Sequence, residues 1–168
     1  VLTRESLELL GTSILAACDT RDGVADGILT DPRDCPFEPD DLQKCEANDG
    51  VDCVTTKQLT AIKAIYDAPI INGRRIFAGF PYGGEHNPGG WERWMVGPDG
   101  LTPSTKFAID FYQNFIFSDT HWDYRHYDFT NWKEDVAKVS AMLDATSTDL
   151  SEFKKIDGKI IFWHGWSD

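Results

Sequence analysis

The sequence predicts a piece of a larger α/β protein: mostly helices and ordered loops with one hairpin, and a single strand of the buried type at its end. Three observations carry that expectation. Ile160, Ile161, Phe162 and Trp163 form an unbroken apolar run, the pattern of a strand covered on both faces. The residues before it show helical periodicity, Gly- and Pro-rich loops and one hairpin signal, so the neighbours that a buried strand needs are missing. The chain also opens on Val1 and an amphipathic segment, neither an initiator nor a signal peptide, as expected of a mature or excised piece.

The elements follow in order. Thr3 to Ala17 reads as a helix, with Leu7, Leu10 and Ile14 at helical spacing and Thr3 as a plausible N-cap. A second helix is predicted from Thr56 to about Asp67, with Leu59, Ile62 and Tyr66 on one face and Pro69 ending it. Ile70 to Phe77 carries a hairpin signal, because Asn72-Gly73 suits a type I′ turn. Phe80 to Gly100 combines glycine, proline and tryptophan and is expected to be a long ordered loop. Thr105 to Phe117 and Asn131 to Leu143 read as helices. A short helix is expected near Leu150 to Lys155, before Asp157-Gly158 and the terminal run.

Composition narrows the function. The 168 residues are 41% hydrophobic and 12% aromatic, enough for a real core, and the six tryptophans argue against disorder. The net charge of −12 repels nucleic acid and anionic membranes, so neither is expected as a partner. No apolar run approaches the ~20 residues that span a bilayer. Four cysteines, Cys18, Cys35, Cys45 and Cys53, lie in the first third among acidic loops. They read as disulfides in an oxidising compartment, since no C-x-x-C spacing points to zinc. Three connectivities remain open.

Between Cys18 and Cys35 stand five aspartates, Asp19, Asp22, Asp26, Asp31 and Asp34. Such a cluster repels itself unless a cation sits among the carboxylates or they point apart into water. Asp19, Asp22 and Asp26, with the carbonyls of Val24 and Ile28, would fill most of a Ca²⁺ shell, and Gly23 and Gly27 would let the backbone wrap the ion. The spacing is not that of an EF-hand, and a solvated acidic turn is the alternative. At the other end, His164-Gly165-Trp166-Ser167-Asp168 follows the expected strand, where α/β enzymes place their chemistry. Ser167 could open a nucleophile elbow, Asp168 could be a triad acid, or the segment could be an ordinary turn. His86, His121 and His126 precede Asp168, the wrong order for a hydrolase triad, and read as loop histidines.

Taken together, the stretch AACDTRDGVADGILTDPRDC, the second pair Cys45 and Cys53, FAGFPYGGE followed by GGWERWMVG, and KIIFWHGWSD resemble the tannase and feruloyl esterase family of secreted α/β hydrolases. The resemblance implies that residues 1–157 are mainly the lid domain of an α/β-hydrolase fold and that 158–168 are a strand and loop of its core. It implies Ca²⁺ on Asp19, Asp22, Asp26, Val24 and Ile28, and the pairs Cys18–Cys35 and Cys45–Cys53. It makes Asp168 the triad acid and demotes Ser167. The nucleophilic serine and catalytic histidine are then expected in the remainder of the hydrolase chain, so this chain alone would be inactive. The implied substrate is an ester of an aromatic acid, and the implied location is extracellular or periplasmic. Phe80, Trp91 and Trp94 are candidates for the wall that clamps the acyl group, with Arg93 a partner for a substrate carboxylate or phenol; packing as lid core is the alternative for these rings. A non-catalytic, calcium- and disulfide-stapled extracellular binding module is the competing functional class.

Overall fold

In the computed structural model, residues 2–46, 52–97 and 101–166 are described. They are mostly helical, with one small sheet of two strands. Helix α1 spans Arg4–Cys18. Its start is fixed by a reciprocal cap: the Ser6 amide donates to the Thr3 hydroxyl (3.2 Å), and the Thr3 amide donates to Ser6 Oγ (2.9 Å). Leu7, Leu10 and Ile14, one helical face, are essentially fully buried. Helix α2, Thr56–Tyr66, repeats the device. Gln58 N donates to Thr55 Oγ1 at 3.2 Å, and Thr55 N donates to Gln58 Oε1 at 2.8 Å. Leu59 and Ile62 enter the same core.

Strands β1 (Ile70–Ile71) and β2 (Arg74–Arg75) pair antiparallel, Ile70 opposite Arg75. Asn72 and Gly73 both take positive φ (51° and 71°), as a type I′ turn requires. Two disulfides staple the connecting segments, Cys18–Cys35 and Cys45–Cys53.

The stretch expected to be one long loop contains helix α3, Trp91–Met95. Trp91 and Met95, four residues apart, pack on the core, and that contact outweighs the surrounding Gly and Pro. Gly90 caps it, and the position needs glycine because a Cβ there would stand 2.6 Å from the Gly84 carbonyl oxygen.

Helix α4 runs Pro103–Phe111, and Tyr112–Ile116 then widens into a π turn closed by Phe117 N to Tyr112 O at 2.9 Å. The single α-helix expected through Phe117 is therefore replaced in its last turn. Helices α5 (Trp132–Leu143) and α6 (Ser151–Lys155) follow. After α6, Asp157 at φ 52° and Gly158 turn the chain, with Gly158 N donating to Phe153 O at 3.1 Å.

The chain divides into two compact units, Val1–Ala108 and Ile109–Trp166. The terminal strand is a correction. Residues 159–165 adopt no regular structure, and Ile161 and Trp163 are 89% and 90% exposed. An apolar run becomes a strand only when a neighbour takes its backbone hydrogen bonds, and the described residues offer none there.

Candidate functional site

Three places carry the candidate residues. The first is the acidic loop. Cys18 ends α1, and the Cys18–Cys35 bridge brings the two ends of the loop together. Inside it the carboxylates turn onto backbone amides. Asp19 Oδ1 accepts from Gly27 N (2.9 Å), Asp22 Oδ1 from Val24 N (2.9 Å) and Asp26 Oδ1 from Ile28 N (3.1 Å). Asp22 Oδ2 also accepts the Thr30 hydroxyl, and that bond, with the Val24 amide, lowers its pKa. Asp31 is held at about 2 by the side chain and amide of Arg33. Gly23 and Gly27 sit at φ 95° and 78°, where a side chain would be strained. Hydrogen bonds of this kind, along with exposure to water, let like charges share one short loop.

The donor set of this loop is all oxygen, the chemistry that Ca²⁺ takes. The arrangement is less complete. Among the described residues, no three His, Cys, Asp or Glu side chains converge so as to hold a metal ion.

The second place is the aromatic region of the first unit. Rings run in a connected series from the buried Phe37 to Tyr82 (5.6 Å between centroids), Tyr66 (4.6 Å), Trp91 (5.1 Å), Phe80 (6.2 Å) and the exposed Phe77 (5.4 Å). Phe80 and Trp91 are thus brought together. Arg93 and Trp94 make a pair of their own, the guanidinium 5.7 Å from the ring centroid, and Trp94 is 44% exposed.

Sequence reasoning gave no role to the group that organises this series. Glu85 is buried and accepts from the Tyr66 hydroxyl (2.6 Å) and the Gly83 amide (2.7 Å). Burial, and then the Glu85 carboxylate, push the Tyr66 phenol far above its ordinary range, so it keeps the proton that it donates to Glu85. The signal available was Gly83-Gly84-Glu85, two glycines exposing amides beside a carboxylate. Next to it, the His86 ring lies on the bare backbone of Gly11, where an added Cβ would stand 1.8 Å from Nδ1, and that Nδ1 is buried with no hydrogen-bond partner.

The third place is the C-terminal segment. Asp168 and Ser167, the two rival catalytic residues, lie outside the described residues. His121 and His126 are exposed beside Asp119 and Asp123, as loop histidines.

Comparison with known proteins places this geometry. The family model for tannase and feruloyl esterase matches residues 1–168. An uncharacterized esterase of Xanthomonas campestris is 32% identical over 182 residues, covering 99% of this chain and 31% of that protein. A probable feruloyl esterase B-1 of Aspergillus oryzae is 26% identical over 160 residues, covering 92% of this chain and 28% of its own length. The crystal structure of feruloyl esterase B from Aspergillus oryzae superposes with a TM-score of 0.75 at 24% identity, covering 94% of this chain and 31% of that one. At that identity the likeness speaks for the fold. The chain spans about a third of the length of these relatives.

Proposed function

Since the chain belongs to the tannase and feruloyl esterase family, we propose that it is the lid portion, with the triad acid, of a serine carboxylic ester hydrolase acting on esters of aromatic acids. The observation that carries this reading is the family match along the whole chain, joined to relatives that bear esterase names. In the mechanism we propose, a serine and a histidine from the rest of the protein perform acyl transfer. Asp168 accepts the hydrogen bond of the imidazole, holds its tautomer and stabilises the imidazolium as it forms. Phe80 and Trp91, with Trp94 and Arg93 beside them, would contact the aromatic acyl group and keep water from it. The exposed run Ile160–Trp163 would pair with the remainder of the hydrolase chain.

Ca²⁺ is part of the proposal, with Asp19, Asp22, Asp26 and the carbonyls of Val24 and Ile28 as its ligands. When bound it would supply fixed positive charge where five carboxylates crowd, and no step of the reaction runs through it. The two disulfides support an oxidising compartment, extracellular or periplasmic.

The deciding experiment assays the full-length protein against methyl esters of benzoic and cinnamic acids. Turnover is expected, falling by about four orders of magnitude in Asp168→Asn. Unchanged turnover in that variant removes the triad role, and no turnover of any ester favours a non-catalytic binding module. Elemental analysis of the purified protein should find one calcium per chain, and its absence from protein purified with calcium removes the ion from the proposal.

A further inference from the structure

Among the described residues of the first unit, Glu85 is the one charged side chain that is buried, at 1% exposure. Taking a carboxylate out of water is costly unless donors replace the water. Two donors do so on Oε1: the Tyr66 hydroxyl at 2.6 Å and the Gly83 amide at 2.7 Å. Gly83 and Gly84, at φ 108° and 87°, make the turn that presents this amide to the carboxylate. The Tyr66 distance is that of a charge-assisted bond, about twice as strong as a neutral one.

Tyr66 is where the supports of Phe80 and Trp91 meet. It is the last residue of α2, whose Leu59 and Ile62 are fixed in the core. The chain leading to Phe80 rests on its backbone: a Cβ on Gly79 would stand 2.0 Å from the Tyr66 carbonyl oxygen. Its ring lies 5.1 Å from Trp91 and 4.6 Å from Tyr82 between centroids. Trp91 arrives from the other side, through the turn that carries Glu85. There Asn87 N donates to Gly84 O at 3.1 Å, and Gly90 N donates to Asn87 O at 2.9 Å, just before α3 begins. Phe80 and Trp91 then meet edge to face at 6.2 Å. The bond from Tyr66 to Glu85 therefore ties the helix end that supports Phe80 to the turn that delivers Trp91.

We propose that Glu85 is a positioning residue: by holding Tyr66 it fixes Phe80 and Trp91 relative to each other, and so sets the preference of the site for a flat aromatic acyl group over an aliphatic one. Glu85 touches no reacting atom and acts only through Tyr66. Contact between rings falls off steeply as a gap opens, so a wall that shifts by a fraction of an ångström loses much of its hold on an aromatic acyl group. An acetyl group makes few such contacts and loses little. The inference rests on the reading of Phe80 and Trp91 as the acyl-contacting wall of an esterase.

The test compares 4-nitrophenyl benzoate with 4-nitrophenyl acetate, two esters with one leaving group, on the full-length protein and two variants. Tyr66→Phe keeps the ring and removes the donor. It should raise KM for the benzoate about tenfold, the usual loss for a hydrogen bond to a charged group. Its kcat for the benzoate, and both constants for the acetate, should stay within about twofold of wild type, as when only binding is lost. Glu85→Gln keeps an acceptor oxygen for both donors and should bring KM for the benzoate back to within about threefold of wild type. A merely structural role would instead lower the folded fraction, reducing kcat for both esters alike with KM unchanged. That pattern, an unchanged KM for the benzoate in Tyr66→Phe, or a Glu85→Gln protein as impaired as Tyr66→Phe would each overturn the proposal and leave the esterase reading standing. Wild-type protein that hydrolyses neither ester would overturn both.

Discussion

The two units solve the same problem with different means. In Val1–Ala108 an aliphatic core closes around α1 and α2, with Leu7, Leu10, Ile14, Val54 and Ile62 almost wholly out of water and two disulfides beside them. In Ile109–Trp166 no described residue is buried to that degree. There the contacts are rings on rings: Tyr112 stacks on Trp122 at 4.9 Å, Trp122 on Phe117 at 5.6 Å, and Tyr127 meets Phe129 edge-on at 4.7 Å. Ring pairs add stability beyond their buried area, about 0.5–1.5 kcal/mol each. They do not replace a dry aliphatic core. The comparison teaches that the first unit carries its own stability, whereas the second keeps large apolar side chains such as Met142 and Ile156 in water, the kind of surface that a covering partner would bury.

The largest effect that could break this contrast is a hole in the first core. Leu10→Ala should cost about 2–5 kcal/mol, because α1 is pinned at both ends and cannot collapse into the gap. Amide exchange read by mass spectrometry should speed up across α1 and α2 and leave α5 unchanged. Equal acceleration in α5 would mean that the units unfold as one.

Next in size is the bridge. Cys18→Ser with Cys35→Ser opens a loop of sequence separation 17. The chain-entropy argument puts the loss at about 3 kcal/mol. Thermal melting of the double variant should drop, and exchange should rise between residues 18 and 35. An unchanged melting temperature would show that the amide bonds to Asp19, Asp22 and Asp26 hold the loop without it.

The same contrast explains what was legible in the sequence. Helices α1 and α2 could be read because Leu7, Leu10, Ile14, Leu59 and Ile62 face one core and set a helical period, and the hairpin could be read from Asn72-Gly73. Helix α3 could not, since its period is a single pair, Trp91 and Met95, hidden among glycines and prolines. The π turn after Phe111 is a tertiary choice, made where Tyr112 and Phe117 both join the ring cluster at 6.1 Å. The apolar run Ile160–Trp163 carried a true hydrophobic signal, but strand geometry is a property of a pair of segments and cannot be read from one. Of the candidate site, the acidic loop was visible as composition. Its amide-bonded carboxylates were not, because they depend on the positive φ of Gly23 and Gly27. Glu85 escaped because a buried carboxylate looks like any other glutamate until its donors are in place.

A smaller effect is expected in the second unit. Tyr127 donates to Asp135 Oδ2 at 2.7 Å, and burial followed by that carboxylate raises its phenol well above the ordinary range. Tyr127→Phe should cost about 1 kcal/mol or less, with faster exchange near α5 and none in α1. A loss as large as that of Leu10→Ala would contradict the view that this unit is held by many weak ring contacts.

The smallest effect is the one that both units should share. Asp31 accepts from the amide (3.1 Å) and Nε (2.8 Å) of Arg33, and Asp123 accepts from the amide (3.0 Å) and Nε (2.9 Å) of Arg125. The arginine two residues on holds each carboxyl at about 2. A depressed carboxyl favours the folded form at pH above its unfolded value, ~3.9, and that contribution is lost as the pH falls toward about 2. Both carboxylates are partly open to water, which screens the interaction, so the change in stability is slight, but the titrations themselves are separate probes of local order. Carboxyl carbon shifts followed by NMR should place both near 2, and Arg33→Ala or Arg125→Ala should return only its own partner to the ordinary range. If Asp31 titrates low while Asp123 titrates normally, the second unit does not hold even its short turns in solution, and the difference between the units is one of folding rather than of packing.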